Sequence, residues 1–310
     1  MEFRAKLNSE YFKLFSSTLD AFSHLGEIIS IEIHNEQFVM STINSSRTAQ
    51  AVAHISRDFF KDYALLRRGS TETILRCTVS NKNFNSIFKK NLAASKLIRE
   101  CQIQITQGSS DEQTHVEARI YMKLIYQNGV TKKNTLWYYD GDPITIFFER
   151  EYPNQIICHS LTLKGYLSRF DPRITEISII CTPGKVILQS HWDETSTDER
   201  PVRATFSINA SDFESYSIHR PTKLTFNLRE FKAIVDYMDT IEGAVKLNFD
   251  DMGSPILCKY AFENKLLVFI ALQTLPRHLS VGGNGDSHNG NSHVNASEDE
   301  SSFLTYSTAD

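Results

Sequence analysis

The chain has 310 residues and a formal net charge of −4. This charge argues against a uniformly basic nucleic-acid binder, although it leaves room for a local basic face. No run of about 18 apolar residues is present, so no membrane span is expected, and the charged N-terminus argues against a secretory signal. Five scattered cysteines, none in a C-x-x-C pair, predict a reducing compartment, cytosol or nucleus.

The start of the chain predicts a strand, a helix and three further strands. Glu2–Leu7 alternates like a strand, and Ser9 is the predicted N-cap of a helix that ends at Gly26. Apolar residues at three- and four-residue steps give this helix one apolar face, made of Phe12, Phe15, Leu19 and Phe22. The strands that follow are expected at Ile29–Ile33, Gln37–Ile43 and Thr48–Ile55.

The rest of the first half continues with strands around one more helix, and then a connector. A hairpin turn is predicted at Asn128-Gly129. Residues 137–153, which Pro143 interrupts and Pro153 ends, are predicted to connect two domains. The predicted strands are Ile74–Val79, Cys101–Ile105, His115–Tyr126 and Val130–Tyr139, and the helix is Asn81–Lys90.

The second half repeats this order of elements. The predicted domains are therefore residues 1–136 and 154–275, joined by the connector, with a disordered tail at 276–310. Helices are expected at Thr162–Phe170 and Arg229–Asp239. Strands are expected at Gln155–His159, Ile174–Cys181, Val186–Trp192, Val202–Ile208, Leu224–Leu228, Ala244–Phe249, Ile256–Tyr260 and Leu266–Leu272.

Self-similarity supports two copies of one unit. Ile55–Tyr63 and Ile208–Tyr216 are similar, and each precedes a strand and an amphipathic helix. A fixed spacing between matching segments is the signature of internal duplication. In the helices, Phe84, Ile87 and Phe88 match Phe231, Ile234 and Val235 at an offset of 147 residues.

No motif gives a reason to propose catalysis. Paired carboxylates occur at Asp250-Asp251 and at Asp140 and Asp142, but all lie in predicted turns, where Asp is common for backbone reasons. Common nucleotide-binding, zinc-protease and hydrolase motifs are missing from the sequence. A metal-dependent 3'-5' DNA exonuclease that uses such carboxylates stays open as an alternative.

Basic residues recur on the predicted helices, away from their apolar faces. If the helices lie side by side, these cations form a strip that contacts phosphates without reading base sequence. Ordinary solvated helix faces are the alternative interpretation, and nearby acidic residues dilute the strip. The candidate DNA-facing residues are Lys13, Lys82, Lys89, Lys90, Lys164, Arg169, Arg229 and Lys232.

Several segments, taken in order, resemble the sliding-clamp family of proliferating cell nuclear antigen. Within it they are most similar to the Rad-nine-type subunit of the nine-one-one checkpoint clamp. The resemblance covers residues 1–275. The segments are Asn44-Ser45-Ser46-Arg47, Asp58–Tyr63, Leu75-Arg76-Cys77 with the following Phe84, Ile87 and Phe88, Val186–Ser190, and Leu228–Phe231.

The resemblance implies an α+β fold of two clamp domains, each largely antiparallel sheet with two short helices. It also implies a nuclear, non-catalytic subunit without a cofactor. Two other clamp-like subunits would complete a hetero-ring around double-stranded DNA. A clamp loader would place the ring at damage, where it would recruit checkpoint and repair proteins. A homotrimeric replication processivity clamp is the remaining alternative.

The resemblance also implies particular interaction sites. Rings of this family close by pairing of edge strands, expected here at Cys101–Ile105 and Val186–Trp192. The family's long phosphorylated tail would correspond to the residues after Leu275, where Ser297 is the possible phosphosite. Partner docking on the connector, over a hydrophobic pocket, is expected to involve Trp137, Tyr138, Ile144 and Phe147.

Overall fold

The computed structural model describes residues 1–67, 73–92, 95–107, 118–139, 141, 144, 151–191 and 203–276. No helix in these ranges is long and apolar enough to cross a membrane. The α-helices are α1 (Ser9–Leu25), α2 (Asn81–Leu92), α3 (Ser160–Leu167) and α4 (Leu228–Thr240). Single 3₁₀ turns lie at Arg57–Phe59, Ser95–Leu97 and Ala210–Asp212.

Strands are the commonest element of the described chain, with nine in each half. Those of the first half are β1 (Glu2–Asn8), β2 (Ile28–Ile33), β3 (Gln37–Ile43), β4 (Ala49–Ser56), β5 (Asp62–Leu66), β6 (Leu75–Ser80), β7 (Ile98–Thr106), β8 (Arg119–Tyr126) and β9 (Thr131–Trp137). Those of the second half are β10 (Asn154–His159), β11 (Glu176–Thr182), β12 (Lys185–Ser190), β13 (Thr205–Asn209), β14 (Ser215–Ser217), β15 (Thr222–Asn227), β16 (Ala244–Phe249), β17 (Ile256–Phe262) and β18 (Leu266–Leu272).

The two halves have the same topology. In the first, the strands form one sheet in the order β5-β1-β7-β8-β9 and another in the order β4-β3-β2-β6. The second half repeats both orders, as β14-β10-β16-β17-β18 and β13-β12-β11-β15. Each strand therefore has a counterpart nine positions later, and all strand pairs are antiparallel, as the predicted fold class requires.

Pairing of β4 with β18 joins the halves into a single nine-stranded sheet. Seven residue pairs form this junction, from Ala49 opposite Leu272 to Ile55 opposite Leu266. Across the same junction, helices α1 and α4 pack together, and the hydroxyls of Thr18 and Tyr237 lie 3.0 Å apart in the buried interior. The chain is thus continuous in both its sheet and its helix layer at this point.

Helix α1 begins one residue earlier than the sequence predicts. The side chain of Asn8, and not that of Ser9, caps it by accepting a hydrogen bond from the Tyr11 amide at 3.2 Å. The helix ends before Gly26, as predicted. A Cβ at Gly26 would stand 2.7 Å from the Ile43 carbonyl oxygen, so glycine is required by close approach of the backbone rather than by an unusual φ angle.

The predicted edge strands are wrong. The segment Cys101–Ile105 lies inside β7, between β1 and β8, and Val186–Ser190 lies inside β12, between β11 and β13. The edges at the corresponding ends of these sheets are β9 and β13. The alternation of apolar and polar residues does not show which strands are edges, because the order of strands in a sheet depends on partners that are distant in the chain.

The proposed division at residues 137–153 stays a prediction. Trp137 ends β9 and Asn154 begins β10. Between them, among the described residues, the backbone of Tyr139 forms an isolated bridge with Thr78. Residues 277–310, which include most of the predicted disordered tail, lie outside the described ranges.

Candidate nucleic-acid interface

The four helices form one row. Helix α1 packs against α2 on one side and α4 on the other, and α4 also packs against α3. The order across the molecule is therefore α2, α1, α4, α3. All eight basic residues predicted to face DNA lie on or directly after these helices.

Three of the predicted cations are held by carboxylates. The Nζ of Lys13 lies 3.2 Å from Glu242, and the Nζ of Lys89 lies 2.9 Å from Asp20. Lys164 bridges two carboxylates of α4, Asp236 at 3.1 Å and Asp239 at 2.6 Å. These side chains are partly neutralised, so they add less to the field over the helices than their number suggests.

Four others have no ion-pair partner among the described residues: Lys82, Lys90, Arg229 and Lys232. Arg169 instead stacks on Tyr166 and on Phe206, at 5.5 and 5.9 Å from the ring centroids. Helix α2 carries three lysines and no acidic residue, whereas α1 and α4 each carry one more acidic than basic residue. Positive charge is therefore concentrated on α2 and at the start of α4.

A cleft of about 550 Å³ lies between α1 and α4, where the two halves meet. The basic side chains that line it are His24, Lys89, Arg229 and Lys232. Burial raises the pKa of Asp20 in the same cleft, but hydrogen bonds from Asn85 and Lys89 outweigh it and lower that pKa overall. The carboxylate of Asp20 thus pairs with Lys89 and with neither Arg229 nor Lys232 among the described contacts.

The connector residues predicted for partner docking have different surroundings where the structure describes them. Trp137 is 61% exposed on the edge strand β9, where Arg119 stacks over its ring at 4.1 Å. Tyr138 is buried and its hydroxyl donates to the Thr106 carbonyl at 2.9 Å. Ile144 is half-buried. Phe147 and the possible phosphosite Ser297 lie outside the described residues, so docking at the connector stays a prediction.

The turn carboxylates Asp250 and Asp251 both pair with an arginine. Arg220 lies 3.6 Å from Asp250 and 3.3 Å from Asp251, so its guanidinium already neutralises this pair. Asp140 and Asp142 lie outside the described residues. Within the described ranges no group of three or more metal-binding side chains occurs.

A polar contact between the halves was not predicted. The amide of Asn44 donates to the Glu230 carboxylate at 2.8 Å, and the Thr48 hydroxyl lies 3.4 Å from the same oxygen. Asn44 belongs to a segment that the family resemblance singled out, but its partner is 186 residues away. Only an N-terminal cap at Asn227 and an acidic first turn on α4 hint at this position in the sequence.

Comparison with solved structures defines the class. The proliferating cellular nuclear antigen of Entamoeba histolytica aligns with 88% of this chain and 98% of its own, with a TM-score of 0.64 at 14% identity. The corresponding antigen of Thermococcus kodakaraensis aligns with 88% of this chain and 99% of its own, with a TM-score of 0.65 at 13% identity. The protein has the two-domain sliding-clamp fold.

Sequence comparison defines the family within that class. The Rad9 family model matches residues 15–275, and the chain belongs to this family. The cell cycle checkpoint control protein Rad9 of Drosophila melanogaster is 21% identical over 85% of this chain. The DNA repair protein rad9 of Schizosaccharomyces pombe is 23% identical over 77% of it. The matches cover 54% and 62% of the lengths of these two relatives.

Proposed function

We propose that this protein is a non-catalytic subunit of a heterotrimeric checkpoint clamp that encircles DNA in the nucleus. Two other clamp-like chains complete the ring, a clamp loader places it at damaged DNA, and the ring recruits checkpoint-signalling and repair proteins. Family membership supports the checkpoint role, and the clamp fold supports the ring. Sequence-independent binding requires no catalytic site, cofactor or base-reading element.

The observation that carries the proposal is the pairing of β4 with β18 inside the chain. Strand β13 is the counterpart of β4, and β9 is the counterpart of β18. Among the described strands, both counterparts are sheet edges that pair on one side only. Repeating the internal junction between chains would pair β9 of one subunit with a β13-like strand of the next. Such head-to-tail contacts generate rings when the rotation closes.

The helix row would then line the inside of the ring. Four cations without a carboxylate partner in the described chain would meet phosphate there: Lys82, Lys90, Arg229 and Lys232. Contacts of this kind release counterions and weaken as salt rises. Because the other predicted cations are paired or stacked, we expect few phosphate contacts from this subunit and a correspondingly shallow salt dependence.

The test is charge reversal at these four positions. The assembled complex carrying Lys82→Glu, Lys90→Glu, Arg229→Glu and Lys232→Glu should be retained less on closed circular DNA, with a loss of about tenfold or more at low salt. Retention is measured by co-sedimentation after loading. Unchanged retention would sink the proposed role of the helix row.

A matched control reverses the same amount of charge away from the helices. Lys123, Lys185, Lys223 and Lys259 lie on strands, and their replacement by Glu should leave retention close to that of the wild type. Circular dichroism of both quadruple variants checks that each is folded. If the strand variant loses retention equally, binding reflects total charge and not the helix row.

A further inference from the structure

Because the two halves repeat one topology, each residue of the edge strands β9 and β13 has an equivalent residue in β18 or β4 at the internal junction. In the hairpins, Leu124 pairs with Lys132 just as Tyr260 pairs with Val268, so Lys132 occupies the place of Val268. In helix α2, Lys90 occupies the place of Tyr237, by the same offset of 147 residues that aligns the two helices. Both replacements exchange a buried apolar or aromatic side chain for an exposed ammonium group.

The opposite edge can be aligned in the same way. Leu188 pairs with Phe206 as Met40 pairs with Ala53, so Phe206 occupies the place of Ala53. The guanidinium of Arg169 lies over the Phe206 ring at 5.9 Å and is exposed. The β13 edge therefore carries an exposed cation beside Phe206.

These differences between equivalent residues would give a contact between two chains a different chemistry from that of the internal junction. At the internal junction, Val268 faces Ala53 in the sheet, and Tyr237 meets Thr18 in the helix layer. If two copies of this chain met in the same register, Lys132 would face Phe206 under the Arg169 guanidinium, with Lys90 nearby. Like charges brought together in a desolvated contact are costly, and natural interfaces use such repulsion to exclude wrong partners.

We propose that the edge formed by β9 and the end of α2 selects its neighbour by charge. Its occupant is the β13-like edge of a different clamp chain, with carboxylates opposite Lys90 and Lys132, and a second copy of this chain is rejected. The inference rests on the proposed function and adds the chemistry of the partner. The same like-charge repulsion is a physical reason against the homotrimer alternative.

The experiment uses the purified 310-residue chain without DNA and gives its two edges opposite charges, so that one copy can bind another. Arg169→Glu places a carboxylate on the β13 edge, opposite the lysines of a second copy. Sedimentation velocity at low salt should show the wild type as a monomer and the variant self-associating at least about tenfold more tightly. Added salt should reverse the association, because the new contact is ionic.

The reciprocal variant provides the decisive comparison. Lys90→Glu with Lys132→Glu makes the β9 edge acidic against the native Arg169, so it should also self-associate. Combining all three changes restores like charges, now acidic on both edges, and should return the chain to a monomer. Lys123→Glu reverses a charge on the neighbouring strand β8 and should leave the wild-type behaviour unchanged.

Each outcome decides the inference. Closed trimers of the wild type, or an Arg169→Glu variant that stays monomeric, would overturn the charge-selection proposal. Self-association of the triple variant as strong as that of Arg169→Glu would overturn it too, because association would then not follow charge pairing. The assay contains no DNA, loader or partner, so its failure leaves the DNA-retention test of the proposed function untouched. In the retention test, the triple variant Lys82→Glu, Arg229→Glu and Lys232→Glu keeps Lys90, so its loss of retention measures DNA contact without changing the proposed subunit edge.

Discussion

Glu230 links the two halves through a single carboxylate at the start of α4. Burial raises its pKa, while hydrogen bonds from Asn44 and Thr48 lower it, and the net shift is upward. A raised folded-state pKa means that the folded chain binds this proton more tightly than the unfolded chain does. The resulting stabilisation is complete below the unfolded pKa and is lost as pH rises through the folded value.

Replacing Glu230 separates its charge from its hydrogen bond. Gln keeps an oxygen for the Asn44 amide and cannot ionise, so Glu230→Gln should gain stability relative to the wild type between about pH 4 and about pH 7. Ala removes the acceptor, and Glu230→Ala should cost about 1 kcal/mol. Free energies of unfolding in urea at both pH values measure this. A Gln variant that loses stability relative to the wild type on going to neutral pH would contradict the upward shift of the Glu230 pKa.

At the residue scale, periodic spacing in the sequence predicted which helix residues are buried, but the sequence did not predict contacts between distant residues. Apolar positions such as Phe12, Phe15 and Phe22 were placed in the core correctly, because their spacing alone fixes the helix face. The ion pairs of Lys13 and Lys164 were not predictable. Lys13 meets Glu242, which is 229 residues away, and no local pattern encodes that distance.

Two tyrosines show the duplication at the level of elements. The hydroxyl of Tyr63 donates to carbonyls at both ends of the β2–β3 turn, His34 at 2.6 Å and Gln37 at 2.8 Å. Tyr216 does the same for the β11–β12 turn, through the carbonyls of Thr182 and Lys185. Each tyrosine therefore fastens β5 or β14 to a neighbouring hairpin, and burial raises the pKa of Tyr216 to about 12.

The hydroxyls of the two tyrosines should contribute unequally to the free energy of unfolding. Tyr63 is 8% exposed, whereas Tyr216 is half-buried, so water can replace the hydroxyl of Tyr216 more easily. Tyr63→Phe should cost about 1–2 kcal/mol of unfolding free energy and Tyr216→Phe less than about 1 kcal/mol. Denaturant unfolding of both variants, with equal m-values as the check on two-state behaviour, measures the difference. The reverse order of costs would count against burial as the cause.

At the scale of elements, most strands and all four helices were predictable, but β5 and β14 were not. Both are short and follow a 3₁₀ turn, and the pattern showed only that Ile55–Tyr63 and Ile208–Tyr216 are alike. The edge strands were mispredicted for a related reason. Alternation reveals that a strand is half-buried, whereas its position in a sheet depends on which partners arrive from elsewhere in the chain.

For the whole molecule, the internal junction serves as a template for assembly. The nine-stranded sheet crosses from one half to the other without a break, and the helix row follows it. The duplication was visible in the sequence. Its consequence, that the free edges β9 and β13 are the unpaired counterparts of the internal pair, required the strand order. The polar character of those edges then distinguishes contacts within the chain from contacts between chains.

The junction's own strength can be tested at its buried hydroxyl pair. Tyr237 is 3% exposed and Thr18 is 1% exposed. The Thr18 hydroxyl also donates to the Leu14 carbonyl at 2.9 Å, so the Tyr237 hydroxyl must be the donor between them. Thr18→Val should therefore leave a buried tyrosine hydroxyl without an acceptor, at a cost of about 1–3 kcal/mol.

Removing both partners should be milder than the two single changes suggest. In Thr18→Val with Tyr237→Phe no hydroxyl is left unsatisfied, so the double variant should be destabilised by about 1 kcal/mol less than the sum of the single variants. Urea unfolding of the four proteins gives this coupling energy. Strict additivity would mean that the two hydroxyls do not interact, and the helix layer would then contribute to the junction through apolar packing alone.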